Sequence, residues 1–294
     1  MTTFTPILTV AALAVLLAAA AAGLGAALVS AGVGVVPATA TIPSGAANRP
    51  SPQETLLGRA ANGGLLLGLA LLVVALLART VAVGHAPWSN LHEFSLSFAT
   101  ATLGTYVVLG RSYPIRGLAP LAAMLAAGLV AFALGLDDRV DPLVPALQQP
   151  LLLTIHVGAA VLAYAVAGVA LLGALAELGQ RSSGDRIPGL PSAATARALG
   201  HRAVLIGFPI LTIAIALGSV WANLAWRSYW SNDPKELAAA ATWLVFGAYL
   251  HVAGRRDRWE RLAPWLIVIG FAGVLFTYVG AGLFFIGEHS YAAP

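Results

Sequence analysis

The residues best suited to chemistry lie in one short stretch, Gly218-Ser-Val-Trp-Ala-Asn-Leu-Ala-Trp-Arg-Ser-Tyr-Trp-Ser-Asn-Asp-Pro-Lys-Glu236. Three of the seven tryptophans, Trp221, Trp226 and Trp230, fall within ten residues here, with Tyr229 among them. Tryptophan and tyrosine collect at membrane interfaces, which accounts for one or two such rings. A cluster this dense presents aromatic faces suited to a large, flat, apolar ligand. Asp233 and Glu236 carry a structural explanation as well, because acids stabilise a helix N-terminus and Pro234 fits a first turn.

Six histidines complete the inventory. A neutral imidazole is a common axial ligand of haem iron; the competing role for any single one is helix packing through a hydrogen bond. His156 and His289 are expected near the same end of the molecule as the tryptophans. His251 lies about 14 residues beyond the start of its helix, or roughly 21 Å away at 1.5 Å per residue. His201, beside Arg202, reads as a solvated surface group. His85 and His92, in Gly84-His-Ala-Pro-Trp-Ser-Asn-Leu-His-Glu-Phe94, suit either ligand binding or bracing of a turn.

The elements that must position these groups are apolar helices. The 294 residues are 59% hydrophobic and only 10% charged, with a mean hydropathy of +0.84. A soluble domain carries about 25% charged residues, so the composition argues against a water-soluble fold. Eight apolar segments are expected to cross the membrane: Ile7–Val36, Leu65–Val83, Phe94–Leu109, Leu118–Leu136, Leu151–Leu175, Ala203–Trp221, Leu237–His251 and Pro264–Ile286. The fold class is thus all-α and polytopic, with about eight transmembrane helices. Residues 37–62 and 180–202 read as irregular connectors. Residues 1–63 form an N-terminal transmembrane helix and cytoplasmic connector, and residues 64–294 a membrane domain carrying the loop at 218–236.

The loops 37–64, 110–117, 176–202 and 254–263 hold 12 of the 16 basic residues, leaving Arg79, Arg139, Arg227 and Lys235 on the other side. By the positive-inside rule the first group is cytoplasmic, and the tryptophan-rich loop and both termini lie outside. Basic residues scattered in this way form no nucleic-acid patch, despite a pI near 9.8. The absence of cysteine excludes thiol catalysis, disulfides and a CxxCH haem-attachment sequence in this chain.

The run Trp221-Ala-x-x-x-Trp-x-x-Tyr-Trp-x-x-Asp-Pro-Lys-Glu236, followed by Trp243 and Tyr249-Leu-His251, resembles the WWD signature of haem-handling membrane proteins. The match is nearest to the CcsA/ResC family of System II cytochrome c synthase subunits. Gly84–Phe94 resembles that family's Gly-His-x-Pro-x-Ser-Asn-x-Tyr-Glu element, and Gly287-Glu-His-Ser-Tyr291 its C-terminal Gly-Leu-His-Ser-Tyr. The resemblance runs from about residue 64 to the C-terminus. It implies outer haem ligation by His156 and His289, and a membrane-embedded haem site at His251 whose second ligand comes from a CcsB/ResB-like subunit. The chain departs from the pattern at Arg227, where the family has glycine, and at Asn232, where it has tryptophan. His92 replaces a tyrosine, Glu288 a leucine, and Ala253 the arginine usual after the helix-seven histidine; Arg255 is a candidate substitute.

The expected function is haem b transport and presentation for covalent attachment to apocytochrome c on the outer face of a plasma or thylakoid-type membrane. The partners implied are a CcsB/ResB-like subunit, apocytochrome c, haem and membrane lipid. No catalytic side chain is identified: the chain positions reactants within a haem-lyase-type complex. Trp221, Trp226, Trp230 and Asp233 join the three histidines as the haem site, with Arg227 and Lys235 as candidate propionate contacts. The rival readings are a haem exporter or chaperone that does not support thioether formation, an electron-transfer cytochrome with structural haem, and an aromatic-anchored transporter of another apolar ligand.

Overall fold

A computed structural model describes residues 4–31, 52–139, 150–255 and 258–289. The expected loops at 37–51 and 140–149, Arg256 and the final residues from Ser290 to Pro294 lie outside the described residues. The described chain is helical: α1 Phe4–Ser30, α2 Pro52–Val83, α3 Leu91–Leu109, α4 Ala119–Leu134, α5 Pro150–Ser183, α6 Ala193–Trp226, α7 Pro234–Val252, α8 Ala263–Leu275 and α9 Ala281–Phe284. A π-helical turn at Phe276–Gly280 joins α8 to α9, so the eighth expected segment is one helix with a widened turn.

The protein is an all-α polytopic membrane protein. Among the described residues, six helical stretches are long and apolar enough to cross a bilayer: Thr5–Ser30, Leu56–Val83, Arg116–Leu134, Leu151–Ser183, Ala193–Trp226 and Ala263–Phe284. The helices α3 and α7, each of 19 residues, are less apolar because their first turns carry His92 and Glu93, or Lys235 and Glu236. At 1.5 Å per residue each is still about 28 Å long, close to the thickness of the hydrocarbon core.

Helix α5 is the central element, packed against α6, α3 and α8, while α1 lies along α2 and α4. Small residues make this possible. The buried face of α4 is built largely of alanine, at positions 119, 122, 123, 126, 127 and 133. In lipid no hydrophobic drive pulls helices together, so close van der Waals packing of small side chains replaces it.

The helices outrun their apolar segments. Helix α2 starts at Pro52 and runs without a break through residues 52–62, where an irregular connector was expected. Proline suits the first turn, whose N–H has no helical partner in any case. Likewise α5 continues to Ser183 and α6 begins at Ala193, capped by the Ser192 side chain, which accepts from the Thr195 N–H. These extensions meet in an ion network: Arg181 and Arg197 lie 2.8 and 3.0 Å from Glu177, and 3.3 and 2.5 Å from Glu260. The arginine-rich loops thus gather at one end of the bundle, opposite the tryptophans.

Candidate functional site

The tryptophan-rich end holds an open-sided cavity of about 190 Å³. Its walls come from the turn before α3, the first turns of α5, the last turns of α6, the following loop, the start of α7 and the C-terminal segment. His156, His289, Trp221, Trp230 and Lys235 all line it, although up to 133 residues separate them in sequence.

His156 sits on α5 against α6. Its Nδ1–H donates to the carbonyl oxygen of Ala214 at 2.9 Å, which leaves Nε2 as the free ring nitrogen. The space for the ring exists because residue 218 is glycine: a Cβ there would stand 2.6 Å from His156 Cε1. Trp221, 2% exposed, lies nearly parallel to the imidazole, with 6.0 Å between centroids and 12° between planes.

His289 reaches the same cavity from the C-terminal segment. Its Nδ1–H donates to Asp233 Oδ1 at 2.8 Å, and its backbone N–H meets Oδ2 at 3.3 Å. Trp221 and Trp226 pack against this imidazole at centroid distances of 5.8 and 5.1 Å. Asp233 is also the N-cap of α7, accepting from the Lys235 N–H at 2.8 Å, while Glu236 reaches back to the Asp233 N–H at 3.2 Å. This is a capping box, as the Asp-Pro-Lys-Glu pattern predicts. Gly287 allows the tail to approach, since a Cβ there would fall 2.3 Å from Asp233 Oδ2.

Burial pushes the Asp233 carboxyl up, but the His289 side-chain hydrogen bond and charge, with the Lys235 and His289 backbone N–H groups, outweigh it and hold the pKa at about 2. A depressed folded value means that the contact contributes fully above the free value of about 3.9 and is lost only as pH falls through about 2. Asp233 is therefore a carboxylate at any physiological pH.

The remaining expected residues divide. Trp226 touches His289 and Trp221 from behind the cavity wall, and its own ring makes a T-shaped contact with Trp221 at 4.9 Å. Arg227 is exposed, outside the cavity lining, in the left-handed conformation at φ 63° that ends α6. Glycine is favoured at such a helix end, so arginine at this position carries a backbone cost that glycine would not. Asn232 also has φ 60° and accepts from Trp230 Nε1 at 2.9 Å; asparagine tolerates this backbone better than most residues. His251 is apart from all of these, exposed in the last turn of α7 with its Nε2 3.5 Å from Arg255.

His201 is not a solvated surface group. Helix α6 begins ten residues before Ala203, which sets His201 two turns into the helix, where it is half-buried and 3.2 Å from the Tyr249 hydroxyl. His92 braces a turn: it is buried, with Nδ1 2.9 Å from the Ala133 carbonyl. His85 contacts the neighbouring Ala86 carbonyl.

Sequence reasoning missed several lining and supporting groups. Tyr164, Thr277 and Tyr278 form the inner end of the cavity, with Tyr278 set in the π turn and bonded to Ser95. Trp88 adds a further aromatic wall. It is held there by Glu93, which accepts from the Ser89 N–H and hydroxyl at 2.9 and 2.8 Å and pairs with Arg79 at 2.8 Å. A polar cluster such as Ser-Asn-x-x-Glu signals a helix start, but its service to a neighbouring tryptophan has no signature of its own.

A profile of the family described as cytochrome C assembly protein matches residues 88–289. A protein of Parasynechococcus marenigrum called cytochrome c biogenesis protein CcsA is 36% identical over 261 residues, covering 77% of this chain and 85% of the relative. Proteins of the same name from Chlamydomonas reinhardtii and Thermosynechococcus vestitus are 36% and 33% identical, covering 75% and 82% of this chain and 65% and 89% of theirs.

Proposed function

Since the chain belongs to the cytochrome c assembly protein family, and so has a role in cytochrome c maturation, we propose that it carries haem b to the outer membrane face and presents it there to apocytochrome c. The observation that carries this reading is the convergence of His156 and His289 on one aromatic-walled cavity, each ring anchored through its Nδ1. Haem suits such a donor set. The porphyrin supplies four nitrogens, so the protein needs only two, and ligating histidines commonly anchor the other ring N–H on a carbonyl or carboxylate. The cradle that Gly218 leaves for the His156 ring fits the same purpose.

Within this scheme Lys235, on the cavity wall, neutralises a propionate by a charge-assisted contact. Trp221 and Trp226 fix the two imidazoles, and Trp230, 43% exposed, offers its ring at the cavity mouth. Arg227, exposed on the same loop, is placed to meet the acceptor protein or an outlying propionate rather than the cavity interior. The acceptor brings the two thiols. The chain's own residues bind, orient and exclude water, and supply no nucleophile.

His251 serves an earlier stage. It stands at the far end of α7 from the cavity, exposed on the bundle surface, so a second ligand for haem there comes from a CcsB/ResB-like subunit. With that partner co-expressed, the purified complex is expected to show a bis-imidazole haem spectrum and to yield holocytochrome. The variant His251→Ala is expected to fold, to lose haem per mole of protein at the outer cavity, and to mature little cytochrome. A well-folded variant with full haem loading and normal maturation would leave His251 a surface residue and remove the relay.

Sidedness rests on the 12-to-4 division of basic residues. Ser182 and Ser231 are exposed at opposite ends of the bundle in a chain without cysteine. An impermeant thiol reagent applied to intact cells is expected to label Ser231→Cys and to spare Ser182→Cys. The reverse pattern would put the cavity on the cytoplasmic face and overturn presentation to an outer acceptor.

A further inference from the structure

The two histidines of the cavity are held by chemically different anchors. Nδ1 of His289 gives its proton to a buried carboxylate, Asp233, at 2.8 Å; Nδ1 of His156 gives its proton to a neutral backbone carbonyl, that of Ala214, at 2.9 Å. A carboxylate partner pulls the N–H proton harder and raises the electron density at the opposite nitrogen, making that imidazole the stronger donor to a metal. The same carboxylate binds the His289 backbone N–H at 3.3 Å, so one group fixes both the ring and the chain that carries it. Trp221 and Trp226 both pack against His289, whereas among the described residues Trp221 is the one ring stacked on His156.

Resting on the haem-presentation reading, we infer that Asp233 makes His289 the retained axial ligand and leaves His156 the exchangeable one. Asp233 is a positioning residue: it acts on haem through His289. The step it biases is a ligand exchange at iron. The bond from iron to His156 Nε2 breaks, a bond to the histidine of the acceptor's CxxCH forms, and the oxidation state of iron does not change. Release of His156 opens the side of the haem that faces α5 and α6, while the grip of His289 keeps haem on the chain until the acceptor has engaged it.

The test uses the purified, haem-loaded chain with iron reduced, and carbon monoxide as the probe. Carbon monoxide takes the place of the weaker axial ligand, and its stretching frequency reports the donor strength of the ligand left opposite. The wild-type adduct is expected to match that of His156→Ala and to differ from that of His289→Ala. Asp233→Asn keeps an N-cap of equal quality and an acceptor for the His289 ring, and removes the charge. It is expected to raise the C–O frequency in the wild-type and His156→Ala backgrounds and to leave the His289→Ala adduct unmoved. A wild-type adduct matching His289→Ala, or no shift on Asp233→Asn, would overturn the inference while leaving the haem site intact. If an alanine variant sheds its haem, the comparison of Asp233→Asn with wild type still decides by the same shift. A wild-type chain that carries no haem at all would overturn this inference and the function on which it rests.

Discussion

Removing either cavity histidine is expected to weaken haem retention at the outer site, and His289→Ala more than His156→Ala. Each of His156→Ala and His289→Ala deletes a bond to iron, so the loss should exceed the roughly 10–100-fold in affinity that outer-shell partners of metal ligands are worth. Free imidazole should restore part of the haem, because it can enter the vacated position without a tether. Gly218→Ala gives a graded version of the same defect. Alanine in place of glycine favours a helix by up to about 1 kcal/mol, so α6 itself gains. The added Cβ, however, occupies the space 2.6 Å from His156 Cε1 and forces the ring off its Ala214 anchor. The helix gain is offset by the lost His156–Ala214 bond, and a folded protein that holds haem less well is the expected outcome. His201→Ala is the control: it removes the 3.2 Å contact with Tyr249 at the arginine-rich end, costing about 1 kcal/mol, and leaves haem retention unchanged. The check is haem per folded protein, with and without imidazole. Full retention after loss of both His156 and His289 would place the haem site elsewhere.

The helical scaffold was legible because each span buries an apolar slab, and hydropathy reads slabs directly. The ends were not. Residues 52–63, 176–183 and 193–202 are polar, and hydropathy assigns them to loops, but a helix that leaves the bilayer continues wherever its backbone groups stay paired and its side chains find partners. Glu177, Arg181 and Arg197 find them across α5 and α6 and in the segment carrying Glu260. An ion network of this kind joins residues up to 83 apart, and no local pattern announces it.

The candidate site shows the same division. The tryptophan cluster and the histidines stand out by type and position. The groups that orient them do not, because they are ordinary residues made special by packing. Asp233 looks complete as a helix cap and is one; its second role toward His289 depends on a tail 56 residues further along the chain. Ala214 contributes a main-chain oxygen, which has no side-chain signature at all. Arg227 looked like a lost glycine and a gained charge. The left-handed backbone is one that suits glycine, and exposure assigns the charge to the surface.

The largest effect on the fold itself is expected from breaking the pair Arg79–Glu93, in a part of the chain where neither residue touches the cavity histidines. Arg79, near the end of α2, donates to Glu93 at 2.8 Å and to the Asp138 carbonyl at 2.6 Å. The two side chains are 9% and 1% exposed. Glu93 also accepts from Ser89, and its own N–H is capped by Asn90 at 2.9 Å, so one carboxylate ties α2, the Trp88 turn and α3 together. A buried pair of this kind adds little net energy when intact, because desolvation offsets the attraction, yet removing one partner strands the other charge. Arg79→Ala should therefore cost about 3–5 kcal/mol. Arg79→Ala together with Glu93→Gln should cost less than Arg79→Ala alone, since no uncompensated charge remains. The residual defect of the double variant isolates the positioning role. With the charge problem removed but the turn untied, Trp88 loses its support and haem retention should fall even where thermal stability has recovered. Thermal unfolding in detergent separates the two contributions, and equal stability losses in the single and double variants would show that the ion pair is not what holds this corner of the bundle.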